Sequence, residues 1–190
     1  MDDDGRPDAR VLLARAVEFH GHLGPFVVLG IRMGVVARPM LKAQNHNDLT
    51  AIMSVNPKPP VSCMVDGVHV ASGCTLGKGT IRVSESAVHI AGEFHAGNRI
   101  FTITVKPKLL NWLLNGLRNR TEKGVLETAE TVLARPDEEL FQITSITRVC
   151  VAQEDRAEAS GCSWLEPYFA CASVAHSPSV EICQSRQAIV

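Results

Sequence analysis

The chain has 190 residues, which suits one domain that buries a core without disulfide or metal staples. A formal net charge of -1 and 5% aromatic residues argue against nucleic acid as a partner, since both the phosphate field and the stacking surface are missing. The most apolar stretch, residues 26–41, carries Arg32 and Arg38 and is too short and too charged to span a bilayer. Residues 1–10 are acidic and polar, without a signal-peptide pattern, so a cytoplasmic protein with no membrane partner is expected. Its six cysteines are then expected to be reduced, metal-bound or inert.

Residues 9–19 place Val11, Leu12, Ala16 and Phe19 at helical spacing. Gly21 and Gly24 interrupt that helix, and Pro25 suits the first turn of a second one running to about Lys42. Pro39 is expected to kink or stop it. Gly30 and Gly34 lie one turn apart on one face, which predicts close approach of another backbone. Asn45 to Asp48 reads as a loop and Leu49 to Val55 as a strand, followed by a stiff connection at Pro57, Pro59 and Pro60. Ser62 is placed to cap a short helix from Cys63 to about Ala71, with Gly73 just past its end.

Three strands are predicted next, over residues 80–83, 87–94 and 100–105, joined by turns at residues 84–86 and 96–98. An amphipathic helix over residues 109–117, another over 125–134, a helical turn beginning at Pro136 and a strand over 141–147 complete the pattern. The order predicts an α+β domain over residues 1–148, with a mostly antiparallel sheet packed with helices. Residues 149–190 are rich in Ala, Ser and Cys without a clean period, and are taken as a tail.

Chemistry concentrates in two glycine-punctuated segments. The first is Phe19-His20-Gly21-His22-Leu23-Gly24-Pro25; the second is Cys63-Met64-Val65-Asp66-Gly67, continued by Gly73-Cys74-Thr75-Leu76-Gly77-Lys78-Gly79. On a continuous helix His20 and His22 point apart, whereas a break at Gly21 lets both rings face one site. The alternative is that one histidine caps the first helix and the other is solvated.

Cys63 at a helix N-terminus is expected to have a lowered thiol pKa, and Asp66 lies one turn further on the same face. A small buried thiol and an acid that merely steadies the helix start remain the plain alternative. Cys74 joins Cys63 only if the glycine loop folds back across a helix roughly 12 Å long at about 1.5 Å per residue. The stretch from Gly73 to Gly79 fails the phosphate-loop pattern, because three residues separate Gly73 from Gly77 and Gly79 stands where Ser or Thr is needed. Gly77 and Lys78 are left as a candidate anion-binding loop, or as a tight turn with a solvated lysine. His95 is read as a solvent-facing turn residue. His46, His69, His89 and His176 have no evident partners in the sequence. Cys150, Cys162, Cys171 and Cys183 lack a Cys-x-x-Cys knuckle.

These segments, in this order and spacing, resemble the FmdE family of formylmethanofuran dehydrogenase proteins over roughly residues 8–147. The resemblance implies an α+β core, a homodimer, metal binding and association with formylmethanofuran dehydrogenase. That molybdenum or tungsten oxidoreductase reduces carbon dioxide to formylmethanofuran, the one-carbon step that opens methanogenesis. Two departures are visible: many family members read His-Gly-His-x-Cys-Pro where this chain has Gly24, and the tail lacks the family's zinc-finger spacing.

Taken with the residue chemistry, the expected metal donors are His20, His22, Cys63 and Cys74. Zinc, or another divalent transition metal, is the expected ion for a mixed nitrogen and sulfur set. Asp66 is expected to orient a histidine or act as base, and Lys78, with Gly77, to hold an anionic group. The alternatives are a non-catalytic accessory that delivers metal or cofactor to the dehydrogenase, and a redox protein using Cys63 and Cys74.

Overall fold

The computed structural model describes residues 9–41, 48–117 and 121–147. Along them run α1 (Ala9–His20), α2 (Pro25–Leu41), β1 (Thr50–Val55), α3 (Cys63–Ser72), β2 (Ile81–Glu85) and β3 (Ala91–Ala96). These are followed by β4 (Arg99–Val105), α4 (Pro107–Gly116), α5 (Glu122–Ala134), α6 (Asp137–Leu140) and β5 (Phe141–Thr147). The strands form one sheet in the order β2-β1-β3-β4-β5. Only β1 and β2 are parallel, so the architecture is α+β with a mostly antiparallel sheet, as the element pattern predicts.

The sequence places β2 and β3 as strands joined by a short turn. In the structure β1 lies between them. β2 runs parallel to β1 after a crossover through α3, and Ser84 and Glu85, expected in a turn, complete its pairing opposite Ser54 and Val55. The chain then has to pass to the far side of β1, so β3 begins at Ala91 rather than Ala87. Local pattern cannot show this, because a parallel neighbour is set by the crossover and not by turn residues.

Met53, Gly92, Ile103 and Ile143 lie in register across the sheet on the face turned to the helices. α2 is the central helix. It touches β3 and β4 on one side and α1, α3 and α5 on the others, and every residue from Pro25 to Ile31 is buried. Pro39 stands inside α2, close to its end. Arg32 follows that buried run, and its guanidinium is held from two sides. Its Nη1 donates to the Leu133 carbonyl at 2.5 Å and its Nη2 to Asp137 Oδ1 at 2.6 Å, tying α2 to the end of α5 and the start of α6. A largely buried charge held this way has both its hydrogen bonds and its counter-ion.

The closest packing lies between α2 and α3. A Cβ on Gly67 would lie 2.7 Å from the Ile31 nitrogen and 2.9 Å from the Gly30 Cα, and would overlap the Val27 carbonyl oxygen. A Cβ on Gly30 would overlap the Met64 carbonyl oxygen in turn. The two glycines are therefore the point where the helix backbones touch. Half of this contact is foreseen by the helical spacing, in the prediction that something packs on Gly30.

Residues 42–47, which hold most of the expected loop, and residues 148–190 lie outside the described residues, with His46, His176, Cys150, Cys162, Cys171 and Cys183.

Gly67→Ala is expected to lower the unfolding free energy by about 3 kcal/mol, the upper range for overpacking, because the obstacles are backbone atoms. Gly77→Ala, whose Cβ would meet nothing within 4 Å, should stay within about 0.5 kcal/mol of the parent. Urea unfolding midpoints compare the two directly.

Candidate functional site

Residue by residue, the site starts where α1 ends. His20 is the last residue of α1. Gly21 follows with φ +93°, a left-handed turn that side chains resist, and its N–H still donates to the Val17 carbonyl at 2.8 Å. The chain turns there and re-enters a helix at Pro25, so His20 and His22 do not follow helical divergence. Their ring centroids are 4.6 Å apart with planes tilted by 42°. The two rings lie side by side.

Asp66, in the first turn of α3, reaches His20: Nδ1 and Oδ2 are 2.6 Å apart. An ionised carboxylate only accepts, so the geometry places the ring proton on Nδ1 and leaves the lone pair on Nε2. That Nε2 is buried and has no hydrogen-bond partner. A buried polar nitrogen left unpaired costs about 1–3 kcal/mol. Phe19 stacks on the His69 ring at 4.9 Å, pinning the end of α1 to α3 beside the dyad and giving His69 a partner the sequence did not show.

Cys63, the first residue of α3, and His22 both line a cavity of about 630 Å³. Its other walls are Gly21, residues 23–26, Pro60, Leu117, Glu122, Val125 and Leu126. Two expectations about the start of α3 are corrected. Ser62 makes no side-chain cap; its backbone is already helical, at φ -61° and ψ -23°, so its hydroxyl cannot turn back to the free N–H groups. The Cys63 thiol pKa is raised, not lowered. Burial disfavours the thiolate, the Asp66 charge opposes it further, and the thiol's hydrogen bond to its own backbone only partly offsets them. Desolvation and a like-signed neighbour outweigh the helix dipole here.

Cys74 lies elsewhere. It is buried in the hydrophobic core just after Gly73, the left-handed cap of α3. Its Sγ donates to the Leu49 carbonyl at 3.3 Å, and burial raises its pKa. It does not line the cavity that holds Cys63. Lys78 donates to the Gly73 carbonyl at 2.5 Å across its own exposed loop, and Gly77 is exposed beside it; neither lines the cavity. His95 is within β3 rather than in a turn, and its Nε2 lies 2.6 Å from Glu93 Oε1 on the sheet. His89 meets Ser86, at 3.5 Å.

Among the described residues, no three His, Cys, Asp or Glu side chains are arranged to hold one metal ion together. The donor chemistry still suits a borderline metal. An imidazole nitrogen with a free lone pair is held by a carboxylate on its other nitrogen, next to a second imidazole. The chain thus offers a pair of neighbouring imidazoles in His20 and His22; His22 and Cys63 line the cavity, and His20 does not. Sequence reasoning missed the cavity wall formed by Leu117, Glu122, Val125 and Leu126. The signal for it was Thr121 followed by Glu122. The Thr121 hydroxyl accepts the Gly124 N–H at 3.2 Å and starts α5 at Glu122, three residues before the expected Val125.

Because the Asp66 charge opposes the thiolate, removing it lowers the Cys63 pKa. Asp66→Asn is therefore expected to speed alkylation of Cys63 by iodoacetamide at pH 8. The parent thiol should react slowly there and quicken only as pH passes the ordinary thiol range. Rate–pH profiles with Cys74 as the buried internal control read this out; profiles that coincide would show that Asp66 does not act on Cys63.

Comparison with known proteins agrees with the resemblance in the motifs. A stretch of 87 residues, 42% of the chain, is 40% identical to a protein of Archaeoglobus fulgidus described as a probable S-adenosyl-L-methionine-binding protein. The chain spans only 22% of that relative's length. The model of the FmdE family, described as molybdenum formylmethanofuran dehydrogenase operon, matches residues 19–142. That span runs from Phe19, beside the dyad, through the sheet to β5 and includes the whole cavity wall, and the chain belongs to the FmdE family.

Proposed function

We propose that this chain is a metal-handling FmdE protein that works with a molybdenum-type formylmethanofuran dehydrogenase in one-carbon metabolism, as a cytoplasmic homodimer. The observation that carries the metal reading is the buried, unpartnered Nε2 of His20, with Nδ1 fixed by Asp66. A histidine that ligates a metal commonly donates its other ring N–H to a carboxylate in this way. Family membership supports the association with the dehydrogenase.

In this reading His20 is the anchoring donor, His22 the second, and Cys63 the sulfur donor that enters from α3. Asp66 holds the His20 tautomer and the orientation of its ring. A bound zinc would supply Lewis acidity to a group in the cavity. Leu23, Phe26, Leu117 and Val125 form apolar walls of the cavity that His22 and Cys63 line. A partial donor set suits an ion that is loaded and released more than one that holds the fold together. The accessory and delivery role is thereby favoured over a self-sufficient catalyst. The redox pair of Cys63 and Cys74 is disfavoured by the core position of Cys74.

Zinc binding is expected to depend on His20 and Cys63, and Asp66→Asn is expected to weaken it about 10–100-fold, the usual cost of losing a carboxylate behind a ligand histidine. Competition with a chromophoric chelator measures this, and equal affinity in parent, His20→Ala and Cys63→Ser proteins would sink the metal reading. The association is tested separately, by affinity capture from a native extract. Recovery of the dehydrogenase is expected, and its absence would remove the proposed partner.

A further inference from the structure

We propose that the cavity is a binding site for a small organic cation, which inserts an apolar body and keeps its ammonium group at the rim beside Glu122. The inference goes beyond the metal reading and does not depend on it. Burial sorts the lining by depth. Gly24, Pro25, Phe26 and Leu117 are buried and make the floor. His22, Glu122 and Leu126 are exposed and make the rim. Cys63 and Val125 stand between them, half-buried. A volume of about 630 Å³ suits a small organic molecule.

Each layer constrains what enters. The floor presents no polar side chain, so it takes hydrocarbon and penalises a strongly hydrated group. Cys63 adds little polarity, because burial and the Asp66 charge disfavour its thiolate and a neutral thiol packs as a small apolar group. Three helices begin at the cavity, at Pro25, Cys63 and Glu122, and helix starts favour anions. Their donors are largely taken here. Pro25 has no N–H to offer. The Met64 and Val65 N–H groups donate to the Val61 and Ser62 carbonyls at 3.1 and 3.0 Å, and the Gly124 N–H donates to the Thr121 hydroxyl at 3.2 Å. Among the described Asp, Glu, Lys and Arg side chains, Glu122 alone lines the cavity. It lies one turn before Leu126 on α5, so the carboxylate and the apolar part of the rim share one helix face. A ligand that fits both layers leaves its charge hydrated at the mouth and takes its hydrocarbon out of water.

The test is proton–nitrogen correlation NMR of the full chain, with EDTA present so that no metal takes part. Three probes share one phenylpropyl body and differ in the head: phenylpropylamine, phenylpropanol and phenylpropionate. Each is added to about 10 mM, a range that reveals weak fragment binding. The amine is expected to shift the Leu23, Phe26, Leu117, Val125 and Leu126 amides. It should bind about threefold to fivefold tighter than the alcohol, the reach of an exposed ion pair, and the carboxylate should bind weakest. Glu122→Gln should bring the amine to the alcohol's affinity and leave the alcohol unchanged. Gly24→Leu should remove binding of all three, since a Cβ there meets only the His22 ring, at 3.5 and 3.7 Å, and the added side chain has the cavity floor to fill. Arg118 and Arg120 adjoin Glu122 in the sequence, which makes the carboxylate the deciding control. A carboxylate that binds as tightly as the amine, or an amine no tighter than the alcohol, would overturn the cation assignment. Absence of shifts at these amides with all three probes would overturn the site itself. Zinc affinity is measured separately, so either result leaves the metal reading standing.

Discussion

The contact on which the rest of the structure depends is the meeting of α2 and α3 at Gly30 and Gly67. Any side chain at either position would overlap a backbone atom of the other helix. The two axes are therefore held as close as helices come, and everything attached to them inherits that spacing. Asp66 immediately precedes Gly67, and the His20 turn leads into α2, so the 2.6 Å contact between the two side chains is set by the backbone fit below it. A second tie, from Arg32 to Leu133 and Asp137, carries the same frame to the far end of α5. The site is thus rigid on the side that carries its chemistry, and that is where polar groups must be placed to better than an ångström.

A carboxylate–histidine pair has consequences for its neighbours. Asp66 satisfies Nδ1 of His20 while its charge raises the Cys63 pKa one turn away. One residue therefore prepares an imidazole and restrains a thiol. The helix N-terminus, which by itself would favour the thiolate, is overruled because burial acts on Cys63 as well. Incoming positive charge would reverse the balance at once, since it offsets Asp66 and stabilises the thiolate together. A thiol held neutral is also less open to oxidation.

Much of this was legible in the sequence. The break at Gly21, the start of α2 at Pro25 and the end of α3 at Gly73 follow from residues with narrow conformational roles, and those boundaries agree with the structure to within a residue. The adjacency of His20 and His22 was one of two open options, decided by the turn at Gly21. The order of strands was not legible, because whether β2 pairs with β1 or β3 depends on the path of α3 and not on any local pattern. The Cys63 pKa was misjudged for a related reason. A helix dipole can be read from a sequence, whereas burial is a property of the whole fold. Glu122 and its neighbours were missed because their role in the cavity comes only from α5 packing on α2.

The cavity has two walls of different ancestry in the fold. Residues 21–26 and Cys63 belong to the segments that the glycine contact locks in place, so substitutions there disturb the donors and the core at once. Leu117, Glu122, Val125 and Leu126 come from the α4–α5 side, which meets the core through fewer buried residues, with Glu122 and Leu126 open to solvent. The second wall can therefore drift while the first stays constant. A substitution on that second wall would reshape the lining of the cavity without disturbing the glycine contact.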